Sequence, residues 1–206
     1  MKKHYLNLRE YYESKLKIYG PTHKGLAWSD KKSVNLRYDI MLDILRFAKK
    51  SKSSILDLGC GYGGILERIA FRKYKVNYTG YDISNLMIQS ARQLFPKNIF
   101  YKKNILEDKI NKKFDFVIMN GLFTVKNTLK FREMEKFFIQ MITKVNQISK
   151  CGFAFNLMSK DVSWRRKDLF YYDYNKLSEL LTKKISRNFI FRYDYKLFEF
   201  TTYVFK

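Results

Sequence analysis

Apolar and polar positions change period several times along the chain. From Leu6 to Ile18 apolar and aromatic residues recur at helical spacing and predict a first helix. Gly20 to Ser29 reads as a loop. Ser29 or Asp30 is placed to cap a second helix that runs to about Lys49, with Val34, Leu36, Ile40, Met41, Ile44, Leu45 and Phe47 as its apolar stripe. Beyond it, short apolar runs alternate with amphipathic ones. Strands are predicted at Ser54–Leu58, Tyr78–Asp82, Ile99–Lys102, Phe114–Met119, Gly152–Met158, Asn188–Tyr193 and Phe198–Phe205. Helices are predicted at Gly63–Arg72, Ser84–Phe95, near Phe131–Ser149 and near Tyr174–Ile185.

Such alternation implies an α/β fold, a mostly parallel sheet with helices on both faces. Only Asp194 to Leu197 separates the last two strands, too little for a parallel crossover, so the final strand is expected to run antiparallel to its neighbour. No repeat, linker or low-complexity tract interrupts the chain. The expectation is a single domain over residues 1–206, with an N-terminal helical cap over 1–50 and a ligand-binding core over 51–206.

The strongest chemical signal is Ile55-Leu56-Asp57-Leu58-Gly59-Cys60-Gly61-Tyr62-Gly63-Gly64, an apolar strand running into a glycine loop that opens a helix. In doubly wound folds ligands sit at the carboxyl ends of the strands. Asp82 closes the next strand, where a carboxylate accepts hydrogen bonds from both hydroxyls of a ribose. Gly59, Gly61 and Gly64 also satisfy the dinucleotide spacing G-x-G-x-x-G, so NAD has to be weighed. Three features favour S-adenosylmethionine (SAM). Asp57 supplies a carboxylate suited to the amino-acid end of SAM. More than 50 residues precede the strand, and little chain remains after one sheet for a separate substrate domain.

On these residues the chain resembles the class I SAM-dependent methyltransferases, from about Asn35 to the C-terminus. The matching motifs are the Asp57–Gly64 loop, Tyr81-Asp82-Ile83-Ser84, Lys103-Asn104-Ile105-Leu106 and Phe114-Asp115-Phe116-Val117-Ile118-Met119-Asn120-Gly121. The ends look like a bacterial group of small stand-alone methyltransferases: Tyr19-Gly20, Trp28-Ser29 and Arg37-Tyr38 at the front, Arg192-Tyr193-Asp194-Tyr195 and Phe198-Glu199-Phe200-Thr201 at the back. That group carries His where this chain has Tyr193.

The resemblance implies a doubly wound seven-stranded sheet with an antiparallel last strand, with SAM as methyl donor and S-adenosylhomocysteine (SAH) as product. It places the backbone of Gly59, Cys60 and Gly61 at the methionine part, Asp82 at the ribose, and Ile83 and Met87 against the adenine. Asn104 and the N–H of Ile105 fall at the adenine edge, and Asn120 joins the cofactor residues. Trp28 and Arg37 are expected to close over the cofactor, with the guanidinium on the methionine carboxylate, a geometry suited to bidentate pairing. Asp115 is expected to cap backbone at a strand start.

The acceptor is less defined. The fourth motif reads Asn120-Gly121-Leu122-Phe123, without the Pro-Pro of nucleobase amino-methyltransferases, and no Pro-Cys nucleophile occurs. A small-molecule or glycan-linked acceptor methylated at oxygen or nitrogen is therefore expected, with the anionic classes favoured by charge. His23, in the loop before Trp28, is the first base candidate, ahead of His4; Tyr193 and Asp194 are alternatives. Arg165 and Arg166 in the run Trp164-Arg165-Arg166-Lys167, and Tyr195 beside the last turn, are candidate substrate contacts. No metal is expected.

The net charge of +22 raises a second reading, an RNA methyltransferase. Against it, 30 of the 41 basic residues are lysine and they are scattered in pairs; a groove for phosphates would gather them on one face with Arg prominent. A third reading, a non-catalytic SAM-binding module, follows from the lack of an obvious base. The sequence has no run apolar enough to span a membrane and no apolar leader at Met1-Lys2-Lys3-His4. Cys60 and Cys151 read as unpaired thiols, and a cytoplasmic setting is expected.

Overall fold

In this computed structural model residues 2–206 are described, with side chains from Tyr5 onward. Helix α1 spans Lys2–Tyr19 and α2 Lys31–Leu42. The core follows as β1 Ser53–Leu58, α3 Ile65–Phe71, β2 Val76–Asp82, α4 Asn85–Leu94, β3 Ile99–Lys102, β4 Phe114–Met119, α5 Phe131–Ile148, β5 Ser149–Ser159, β6 Tyr171–Tyr172, α6 Tyr174–Lys184, β7 Phe189–Arg192 and β8 Glu199–Phe205.

The strand order is β3-β2-β1-β4-β5-β8-β7, with β6 beside the tip of β5. β1, β2, β3, β4 and β5 pair in parallel, and β8 runs antiparallel to both β5 and β7. The expected fold class is thus the observed one. Central strands carry apolar residues on both faces because helices cover both; every residue of β4 is buried. One layer packs Phe138, Met141 and Ile142 of α5 and Leu177 of α6 on the sheet; the other packs Met41 of α2, Ile65 of α3 and Ile88 of α4.

Register sets the level of the strand tips. Leu58 pairs with Tyr81 and Asp82 with Lys102, so β1, β2 and β3 end together at one edge. At the opposite edge Asp115 Oδ2 accepts the backbone N–H and the hydroxyl of Ser54, both at 2.8 Å, and locks the start of β4 to β1. Asp115 is thus a backbone tie, as its position predicts.

The cap differs from the sequence reading in detail. Asp30 is the N-cap of α2 and accepts from Ser33 N–H at 2.7 Å. That helix stops at Leu42 and tightens into a 3-10 turn over Asp43–Phe47, short of the predicted Lys49. The loop before it contains a further 3-10 turn, Lys24–Leu26, whose Ala27 C-cap is left-handed with φ 60°. β6 was not expected because two residues carry no period. α1 is fastened over the strand tips by Tyr5 Oη donating to Glu107 Oε1 at 2.5 Å and Ser84 Oγ donating to Glu13 Oε1 at 2.7 Å.

Gly152 tests the β5–β8 seam. A Cβ there would lie 2.4 Å from the carbonyl oxygen of Val204, a backbone atom that cannot move aside. Gly152→Ala is expected to destabilise the protein by about 1–3 kcal/mol in urea unfolding, the ordinary range for overpacking.

Candidate active site

The tips of β1 and β2 build the centre of a cleft. Gly59 and Gly61 adopt left-handed φ of 76° and 54°, a region that Cβ-bearing residues rarely adopt. This conformation turns the loop back so that Gly59 N–H and Cys60 N–H donate to Tyr81 O at 2.8 and 3.1 Å. Gly61 N–H then donates to Asp82 Oδ2 at 2.9 Å, while Ser84 N–H donates to Asp82 Oδ1 at 2.8 Å. Each carboxylate oxygen keeps acceptor capacity for a further donor. A Cβ on Gly61 would come within 2.8 Å of Leu26 of the cap, so the loop and cap are in close approach.

Two carboxyls share this low-dielectric space. Burial pushes Asp57 up to about 7, opposed by the hydrogen bond it accepts from Tyr78 Oη at 2.8 Å, with the nearby Asp82 adding to the rise. Burial also raises Asp82, against its backbone donors. A cationic ligand fits two desolvated carboxyls, and an adenosine fits a carboxylate between glycine backbone and apolar walls. The residues present therefore suit SAM.

Most of the predicted cofactor residues meet here. Gly59, Cys60, Gly61 and Asp82 line the floor, and Ile83 and Met87 follow on the β2 side. Asn104 and Ile105 line the β3 side, with Asn104 Oδ1 oriented by accepting Leu106 N–H at 3.1 Å. Trp28 and Asn120 line the β4 side. Met87 and Ile105 line the cleft and are also core residues, 2% and 1% exposed.

Other predicted residues are placed elsewhere. Arg37 does not line the cleft; its Nε donates to Glu199 at 3.0 and 2.9 Å, and its guanidinium lies 4.2 Å from the centroid of the Trp28 ring. His23 lines a second recess with Lys31, Tyr62 and Glu67, behind the glycine loop. Tyr193 is exposed, and Asp194 is drawn away by its two-bond pairing with Arg192 at 2.7 and 2.9 Å. Tyr195 turns inward and shares a hydrogen bond with Thr201 Oγ1 at 3.0 Å. Arg165 donates to Lys160 O and Arg166 pairs with Asp168, both outside the cleft. The side chain of His4 lies outside the described residues.

Sequence reasoning missed what α1 contributes. Tyr5, Leu8, Arg9 and Tyr12 roof the cleft, and Tyr38 of α2 and Lys103 complete it. The signal was present in the apolar spacing of Tyr5, Leu8 and Tyr12, which mark one helix face without saying what it covers. Among the described residues, Arg9 Nε and Asn120 Oδ1 are buried without a hydrogen-bond partner.

A glycine loop at the tip of β1 and a carboxylate at the tip of β2, in a sheet of order β3-β2-β1-β4-β5-β8-β7, define a nucleoside-binding α/β domain of the methyltransferase kind. The family described as Methyltransferase domain matches residues 56–141. Rv1506c of Mycobacterium tuberculosis, assigned to the methyltransferases, is 33% identical over 153 residues, spanning 73% of this chain and 92% of that protein. The chain belongs to the methyltransferase family, in its class I SAM-dependent form. Two solved structures share the fold. The N-methyltransferase NodS of Bradyrhizobium japonicum, in complex with SAH, has a TM-score of 0.68 at 15% identity over 96% of this chain and 97% of that one. The 1,6-didemethyltoxoflavin-N1-methyltransferase of Burkholderia thailandensis has a TM-score of 0.67 at 16% identity over 97% and 87%.

The raised Asp57 has a signed consequence. A carboxyl that holds its proton more tightly when folded favours the folded state most at low pH, and that contribution is lost as pH rises from about 4 to about 7. Asp57→Asn removes this slope. The melting temperature of Asp57→Asn minus that of the ligand-free parent is expected to grow between pH 4 and 7; a constant difference would mean Asp57 titrates normally.

Proposed function

We propose that the protein transfers a methyl group from SAM to oxygen or nitrogen of a small-molecule or glycan-linked acceptor. The observation that carries this is the Gly61–Asp82 hydrogen bond, which presents glycine backbone and a carboxylate to one ligand in a cleft roofed by α1. Bound SAM supplies a methyl group made electrophilic by its sulfonium. Asp82 holds the ribose, Ile83 and Met87 flank the base, and Asp57 with the backbone of Gly59 and Gly61 receives the amino-acid end. Asp57 offers its charge fully only above about pH 7, so affinity for a cationic ligand is to fall as pH drops below that value.

No imidazole lines the cleft among the described residues. Burial keeps Tyr12 and Tyr38 protonated far into the alkaline range. The protein's contribution is therefore chiefly positional, holding the reactants at close range. The apolar walls of Leu26, Trp28 and Leu122 favour an acceptor that presents an apolar surface to them.

The net charge of +22 supports a second reading, methylation of RNA. Incubation with methyl-tritiated SAM and a cell extract, followed by separation of small molecules from RNA, distinguishes the two. Label is expected in the small-molecule fraction. Label confined to nuclease-sensitive material would replace the first reading by the second, and SAM binding without label in any fraction would favour the non-catalytic module.

A further inference from the structure

Arg37, expected on the cofactor, closes a different circuit. Its Nε donates to both oxygens of Glu199, at 3.0 and 2.9 Å. Asn156 Nδ2 donates to Glu199 Oε1 at 3.0 Å, and Asn156 Oδ1 accepts Gly121 N–H at 2.7 Å. Gly121 lies against Trp28, since a Cβ built on it would fall 2.7 Å from the indole Cζ2. Trp28 in turn lies under the Arg37 guanidinium, 4.2 Å from ring centroid to charge. The circuit joins α2, β8, β5, the tip of β4 and the cap loop.

Its members are withdrawn from solvent: the side chains of Arg37 and Glu199 are 13% and 1% exposed, and Asn156 is fully buried. A buried ion pair adds little net stability, because desolvation offsets attraction and an apolar pair of similar volume often does as well. What this one does is fix two cleft-lining groups, Trp28 and Gly121. Leu122, next in sequence, stands 3.1 Å from the Cβ position of Gly59. The circuit therefore terminates at the β1–β4 end of the cleft, beyond the β2–β3 end where Asp82 and Asn104 lie.

We propose that Arg37, Glu199 and Asn156 are positioning residues for the half of the site that holds the amino-acid end and methyl group of the cofactor, acting through Trp28 and Gly121. This rests on the proposed function of the cleft. It assigns the cap a part in aligning the transferred methyl and gives the paired charges a role other than stability.

Removing one charge strands the other in the interior, so the informative variant replaces both: Arg37→Met with Glu199→Met. Calorimetric titration would use SAH and 5′-methylthioadenosine, which shares the adenosine thioether and lacks the amino-acid end. The double variant is expected to keep a melting temperature close to the parent's. Its affinity for SAH is expected to fall about tenfold or more, as for misplacement of the groups that contact the amino-acid end, with methylthioadenosine changed less than about twofold. In a Trp164→Phe background, the change in Trp28 emission on adding SAH is expected to disappear. Equal weakening of both ligands, or unchanged SAH affinity in the folded variant, would overturn the assignment. Should the double variant not fold, Asn156→Ala leaves the ion pair whole and cuts its link to Gly121, and it is expected to show the same preferential loss; its absence would overturn the assignment equally. A parent protein that binds neither ligand would instead remove the proposed function, and this inference with it.

Discussion

The bond from Gly61 N–H to Asp82 is the constraint on which the site depends. It joins the loop after β1 to the tip of β2, and it exists only because those strands are adjacent and in register, with Leu58 beside Tyr81. The left-handed glycines allow the loop to turn back far enough for the N–H to reach the carboxylate. The same carboxylate receives Ser84 N–H, the N-cap position of α4. One side chain thus sets a loop, a strand tip and a helix entry. Its burial raises the cost of its charge, and a ligand that donates hydrogen bonds to it lowers that cost.

Around this point the structure assembles the cleft from both ends of the sequence. α1 is held over the strand tips by side-chain bonds at Tyr5 and Glu13, and Tyr203 of β8 hydrogen-bonds the carbonyl of Ile40 in α2. The Arg37–Glu199 pair crosses the same seam. The cap is therefore coupled to the C-terminal hairpin as well as to the glycine loop. No helix among the described residues is long and apolar enough to cross a membrane.

The parts of this account legible in the sequence are those fixed by local chemistry. The glycine loop, Asp82 and Asn104 stand at strand ends, and a strand end in a parallel sheet has one address. The antiparallel hairpin followed from a connection too short for a crossover. Among the residues that lie away from the cleft, Arg37 and Asp194 are each turned aside by a side-chain partner. Glu199 lies 162 positions from Arg37 and claims it; Arg192, two positions from Asp194, turns that carboxylate aside. The roof formed by Tyr5, Arg9 and Tyr12 was only half legible for another reason: amphipathic spacing shows that a face is covered and does not name what covers it.

The most direct measurement is a calorimetric titration of the protein and of Asp82→Ala with SAM, SAH and NAD. Both adenosyl ligands are expected to bind the parent protein, and NAD is not. Asp82→Ala is expected to weaken SAM and SAH by about a hundredfold, the scale of two charge-assisted hydrogen bonds lost together. Binding of NAD in preference, or adenosyl affinity indifferent to Asp82, would contradict the assignment of the cleft to SAM.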